Sequence, residues 1–224
     1  MPELPDVRLG EEPKGLVNLM LTDRSKCVRM LIMPWEKQFN TEEVLDRAMH
    51  VFWRHGFEAT SMQVLLDNMG IQRGSFYATF QDKRTIFKMT LDRYEKLCLR
   101  MFERIEAGKN PKEAIASVFD GVIKDARENA DYCGCFMVNT SLELAPHDPE
   151  ICEIVEKCFS LTEAFFYRMI KKGQVAGTIS STLHAKNTSR ILFGLLAGLR
   201  VLSRGRTDLD SARAVVAHAK TIIG

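Results

Sequence analysis

No apolar run in this chain is long enough to cross a membrane: the longest, near Ile191 to Leu199, stops at Arg200, well short of the ~18 residues a span needs. The short Leu31-Ile32-Met33 run is too small to be the core of a signal peptide, so a cytoplasmic protein is expected. Charge of one sign is also lacking. With 31 basic and 29 acidic residues the formal net charge is +2, which excludes general affinity for nucleic acid and requires any DNA binding to come from local placement of charge. Catalytic constellations are missing too. The histidines His50, His55, His147, His184 and His218 are scattered over different segments, and neither a phosphate-cradling glycine loop nor a nucleophile elbow occurs. The chain therefore reads as no enzyme, with no cofactor and no metal called for. Cys27, Cys98, Cys133, Cys135, Cys152 and Cys158 come without an export signal, which argues for reduced thiols rather than a disulfide framework.

What is present is concentrated between Thr60 and Lys83. Thr60 and Gln63 have capping-box spacing, and Met62, Leu65, Leu66 and Met69 recur at i, i+3, i+4, i+7, which predicts a helix with one buried face. Gly70 falls where a helix closes in a left-handed residue, Ile71 follows as an apolar plug, and Gln72, Arg73, Gly74 and Ser75 open a second helix whose Phe76 and Phe80 face inward. This is a helix-turn-helix, with the polar tips of its second helix placed for a major groove.

At these residues the sequence resembles the TetR family of bacterial repressors. The run from Gly56 to Met62, the Gly70-Ile71 turn, Gly74-Ser75-Phe76-Tyr77 with Phe80, and Lys83 at the next helix start all match the family pattern, tightly from about Asn40 to Phe87. Ala78-Thr79 departs from it, because family members commonly place a bulky aromatic or His there. The resemblance implies a homodimer formed through the last two long helices as a four-helix bundle, bound to an operator on double-stranded DNA and released by a small-molecule effector whose identity the sequence does not give.

Along the chain, residues 1–33 mix prolines and glycines with scattered charge and predict a poorly ordered extension. The alternative is a basic arm using Arg24, Lys26 and Arg29 in a minor groove. Residues 34–87 are assigned to the three-helix DNA-binding domain, its first helix starting at Thr41 as N-cap. Residues 88–224 are assigned to a helical effector-binding and dimerisation domain, reached through a long helix from Asp82 to Ala107. Asn110-Pro111 signals the next start, and further helices are expected over 134–144, 149–172, 183–203 and 208–223. The fold class is all-α throughout.

The residues expected to meet DNA are Thr60, Ser61, Gln72, Arg73, Ser75, Tyr77 and Lys83. Arg73 suits guanine, Gln72 adenine and Ser75 either base, while Tyr77, Thr60 and Lys83 suit phosphate oxygens. An effector pocket is expected around Phe136, Asn139, Glu143 and Phe166, where aromatic and polar residues interleave. The segment Ile191 to Leu199 is apolar on nearly every face, which predicts a helix buried all round, with Gly194 and Gly198 as the close-approach positions of a dimer interface or of an ordinary core. Cys133-Gly134-Cys135 sits at an expected helix start, where the dipole favours a thiolate. It reads either as packing or as a thiol or metal sensor, with Cys152, Cys158 and His147 the available helpers. A helical sensor or adaptor that binds protein partners is the reading from a different class. His147-Asp148 between two prolines reads as a turn cap.

Overall fold

The computed structural model describes residues 39–129, 131–204 and 209–224; the extension over 1–33, with its alternative minor-groove arm, lies outside them. Among the described residues the chain forms nine helices: α1 (Thr41–His55), α2 (Met62–Met69), α3 (Arg73–Phe80), α4 (Lys83–Gly108), α5 (Pro111–Glu128), α6 (Phe136–Glu143), α7 (Pro149–Val175), α8 (Ala185–Arg204) and α9 (Leu209–Ile222). All-α architecture follows from the capping and periodicity of the sequence, but several starts move by a residue. The cap of α1 is Asn40 rather than Thr41. Its backbone is extended, its side-chain oxygen accepts from the Glu42 amide at 3.0 Å, and its amide nitrogen reaches Glu43 at 3.0 Å. Thr41 is already helical and cannot serve. Asn110 caps α5 through the Glu113 amide at 2.9 Å, with Pro111 in the first turn where its missing N–H costs nothing. Asp148 does turn out to be a cap, accepting from the Glu150 and Ile151 amides at the start of α7.

Buried apolar side chains form two clusters. The first gathers α1 to α3 with Ile86, Phe87, Leu91 and Tyr94 of α4, and adds Phe136 and Met137 of α6 and Ile151, Val155 and Cys158 of α7. The second holds Phe102 of α4 with α5, the later part of α7, α8 and α9. Both long helices, α4 and α7, therefore run through both clusters, and packing continues across the expected boundary at Phe87 and Lys88. Each fully buried aromatic, such as Phe52, Phe76, Phe80 or Phe87, contributes about 1.5–3 kcal/mol of burial.

The two long helices lie side by side in the same direction. Lys88 pairs with Glu150 at 2.5 Å, Glu95 with Lys157 at 2.8 Å and Glu106 with Lys172 at 2.8 Å, while the Phe102 and Phe165 rings stack with centroids 4.5 Å apart. Residue numbers climb together on both helices, and that order fixes their register. The lysine ends of the Glu95 and Glu106 pairs are exposed, so these pairs add little stability individually; their use is to set which residue faces which.

The helix α8 departs from expectation. Thr188, Ser189, Leu192, Leu196, Leu199 and Ser203 are buried, but Ile191, Gly194, Gly198, Val201 and Leu202 are exposed. One face packs on the protomer and the other is open, so the helix is not buried all round within one copy. A methyl group added at Gly194 or Gly198 would meet nothing within 4 Å. By contrast Gly173 is required by its neighbour, since a Cβ there would come within 2.6 Å of the buried Ile179 side chain in the α7–α8 loop.

Candidate nucleic-acid interface

The helix-turn-helix is built from caps and from two buried rings. Ser61 caps α2, its hydroxyl accepting from the Val64 amide at 3.2 Å. Gly70 closes α2 in the left-handed region at φ 68° and donates its N–H to the Leu66 carbonyl at 2.9 Å, a conformation that disfavours any side chain. Arg47 of α1 donates to the Met69 carbonyl at 3.0 Å, tying the turn to α1. Phe76 and Phe80 are fully buried, and their spacing of four residues turns the opposite face of α3 outward. On that outer face Gln72, Arg73, Gly74, Tyr77 and Ala78 are exposed, with Ser75 half-buried.

The N-terminus of α3 carries no side-chain cap: Gln72 is in the N-cap position and its side chain makes no capping bond. The first-turn amides of α3 and its positive dipole end are thus presented beside Arg73, an arrangement suited to phosphate oxygens. Between α3 and α4, Gln81 has φ 66° and is, among the described residues, the one non-glycine with positive φ. Asp82 then caps α4 through the Thr85 amide at 2.6 Å, and that hydrogen bond holds its carboxyl below the ordinary range.

Lys83 occupies the first position of α4, where a cation opposes the dipole. Its ammonium stands 4.3 Å from the centre of the Phe57 ring, which steadies it by a cation–π contact.

Thr60 is not a phosphate ligand. Its side chain is fully buried and its hydroxyl donates to the Gly56 carbonyl at 2.5 Å, so the capping-box reading shifts by one residue and Ser61 takes the role. Thr60 holds the α1–α2 loop instead.

The four residues expected to line one effector pocket are not brought together. Phe136 belongs to the first core cluster and Phe166 to the second. The Asn139 amide donates to the Cys133 carbonyl at 2.9 Å. The Glu143 carboxylate, at the end of α6, accepts from the backbone amides of Phe57 at 3.1 Å and Glu58 at 2.8 Å. It is a clasp on the DNA-binding half, a contact 86 residues apart in the chain that local sequence patterns do not signal. Arg93 is a second such tie, from α4 to Asp46 and Glu42 of α1, which raises its guanidinium above the ordinary range through the Asp46 hydrogen bond. Arg84 is a third, reaching Asp148 at 2.9 Å and Glu150 at 2.7 Å.

The helix α6 starts at Phe136, later than expected, and Cys135 is its N-cap residue without a side-chain capping bond. Cys133 lies outside the helix and donates its S–H to the Asp131 carbonyl at 2.9 Å, while the Cys135 sulfur is 3.4 Å from the Tyr94 hydroxyl. Among the described residues no group of three or more His, Cys, Asp or Glu side chains is arranged to hold a metal ion.

Residues 44–89 match the model of the bacterial regulatory proteins of the tetR family, and residues 111–219 match that of the tetracyclin repressor-like C-terminal domain. The chain belongs to the tetR family. It is thus a helix-turn-helix transcriptional regulator, in a family of regulators rather than enzymes. The uncharacterized HTH-type transcriptional regulator YezE of Bacillus subtilis is 34% identical over 72% of this chain and 87% of its own length. The HTH-type transcriptional repressor ComR of Escherichia coli is 27% identical over 85% of this chain and 91% of its own. In fold, this TetR-family chain is similar to a cysteine mutant of the TetR family transcriptional regulator CifR complexed with 26 bp double-strand operator DNA. The TM-score is 0.73 at 23% identity, covering 82% of this chain and 97% of that one. The reduced form of E. coli NemR is similar at a TM-score of 0.75, with 17% identity over 82% of this chain and 96% of that one.

Proposed function

We propose that this TetR-family regulator is a repressor that binds a palindromic operator as a homodimer and is released by a small-molecule effector. The observation that carries the DNA reading is the outer face of α3. Gln72, Arg73 and Tyr77 are exposed on a helix pinned by the buried Phe76 and Phe80, beside an uncapped N-terminus. Arg73 and Gln72 read base edges, with Ser75 beside them, and Tyr77, Lys83 and the α3 amides grip the backbone. Ser61, the N-cap of α2, is assigned to the flank of the same contact. ComR's being a repressor and the operator complex of CifR support the reading. A regulator of chromosomal DNA acts in the cytoplasm, and among the described residues no helix is long and apolar enough to cross a membrane.

The dimer reading is supported by the open stripe on α8. Asn187, Ile191, Gly194, Gly198 and Val201 recur at three- and four-residue intervals and are exposed, the spacing of a seam that a second helix can approach closely at the glycines. Effector release is supported by the ties between the halves, since α4 passes through both core clusters and Glu143 clasps the α1–α2 loop. An effector that alters the α6 to α8 packing therefore has a route to the recognition helices, whose spacing must match successive major grooves about 34–36 Å apart.

A mobility-shift titration on the DNA flanking its own coding sequence tests the repressor reading. Specific, salt-dependent binding is expected, and indifference to all such DNA would leave the adaptor reading in its place. Calorimetry with candidate metabolites, with and without operator, tests release. By linkage, a ligand that weakens DNA binding binds the DNA-bound protein less tightly by the same factor, and equal affinity in the two states rejects the effector model.

A further inference from the structure

A single residue separates the recognition helix from the cap of the next helix. Phe80 ends α3, Asp82 is the N-cap of α4, and Gln81 lies between them. Gln81 has φ 66° and ψ −63°, and across it the Asp82 amide donates to the Phe80 carbonyl at 2.8 Å. A hydrogen bond spanning one residue with those dihedrals makes a γ-turn of the rare, strained kind, whose centre lies at about φ +75° and ψ −65°.

The strained conformation persists because both ends of the turn are held. On one side Phe80 is fully buried, with its ring centre 5.6 Å from that of Phe76. On the other, the Asp82 carboxylate accepts from the Thr85 amide at 2.6 Å. Arg84 then anchors the first turn of α4 to the start of α7, reaching Asp148 at 2.9 Å and Glu150 at 2.7 Å, and Ile86 and Phe87 are buried just beyond it. Gln81 itself is exposed. Its neighbours impose the conformation, not burial of its own side chain.

We propose that Gln81 is a positioning residue for operator binding: the strained turn locks the recognition helix to α4, so that α3 meets DNA at one angle. For a residue with a Cβ the allowed region at positive φ is small, so the turn cannot be varied without a steric cost. Glycine would occupy the same dihedrals without that cost, and many others besides. With Gln81 the angle of α3 is fixed on folding. With glycine part of that freedom is lost only on binding, which lowers affinity, and a two-fold dimer meets the loss at both half-sites. The same lock passes a displacement of α4 to α3 without slack. The effect on affinity rests on α3 being the helix that reads DNA; the strain in the turn does not.

Three full-length proteins test this: wild type, Gln81→Gly, and Gln81→Ala, which keeps the Cβ and removes the side-chain amide. Urea unfolding is expected to give a higher midpoint for Gln81→Gly than for the other two, which should agree. The DNA probe is the duplex that the wild type enriches from a random-sequence pool. Anisotropy titrations at several salt concentrations are expected to show Gln81→Gly binding about threefold to tenfold more weakly. Its salt slope should match wild type because no phosphate contact is lost, and Gln81→Ala should bind as wild type does. The proposal is overturned if Gln81→Gly binds as tightly as wild type, or if its unfolding midpoint does not rise. It is also overturned if Gln81→Ala loses the same affinity, which would assign the effect to a contact made by the amide. If the wild type enriches no duplex, the DNA reading is rejected and this inference with it, while the unfolding midpoints still decide whether the turn is strained.

Discussion

Thr60 and Ser61 are adjacent hydroxyl residues with different fates: one is buried against the Gly56 carbonyl, the other caps α2 at the surface. Thr60→Val keeps the shape and removes the donor, leaving a carbonyl unpaired, so a stability loss of about 1–2 kcal/mol is expected from urea unfolding. The salt dependence of DNA binding should not move, and a flattened salt slope would return Thr60 to the phosphate ligands. Arg73 and Lys83 divide differently. Arg73→Ala removes a base contact of about 1–3 kcal/mol per half-site and should relax selectivity with the fold intact. Lys83→Ala should weaken binding to all sequences alike and reduce the salt slope by about one per protomer, measured by anisotropy titrations at several salt concentrations. An unchanged slope would confine Lys83 to its contact with Phe57.

At the level of elements, α6 and α7 hold the DNA-binding half through carboxylates. Glu143→Ala leaves the Phe57 and Glu58 amides without their charged acceptor, which costs about 1–2 kcal/mol for partly exposed charge-assisted bonds. Hydrogen exchange is the decisive readout: those two amides should exchange faster while α1 amides such as Phe52 keep their protection. Uniform change across both would mean global destabilisation rather than a released clasp. Glu106 of α4 faces Lys172 and Arg168 of α7, and its carboxyl is held below the ordinary range, first by the Lys172 hydrogen bond. A depressed folded-state value means the contribution is present above the unfolded carboxylate range near 4 and is lost as pH falls through the folded value. Glu106→Gln should therefore flatten the acid side of the stability profile between about pH 3 and 5, read as urea midpoints against pH. An acid limb as steep as wild type would assign that limb to other carboxylates.

For the whole molecule, the open face of α8 makes a prediction that separates folding from assembly. Gly198 has empty space where a side chain would go, so Gly198→Leu should leave the protomer's unfolding midpoint unchanged. In a two-fold interface the same side chain is met twice, with overpacking typically about 1–3 kcal/mol at each site. Sedimentation velocity is expected to show the variant shifted to monomer, with operator affinity falling in step because a palindrome needs both copies. A variant as dimeric as wild type would place the interface on another face.

What the sequence determined was local. Helix class, the turn at Gly70, the caps at Asn110 and Asp148 and the outward row Gln72, Arg73 and Tyr77 are all legible, because capping, left-handed turns and a 3.6-residue period depend on neighbours within about one turn. The same reasoning misplaced caps by one residue at Thr41 and Thr60, where adjacent residues offer equivalent oxygens and only backbone conformation chooses between them. Tertiary structure decided everything that depends on which helix meets which. Phe136 and Phe166 look alike in sequence and enter different cores; Glu143 reads as a pocket residue and clasps a loop instead; α8 is apolar around most of its circumference yet covered on one side. Glu95 and Lys157, sixty-two positions apart, are joined by the parallel course of α4 and α7. Contacts between distant segments are chosen by how the whole set of faces packs, and no window along the chain contains that information.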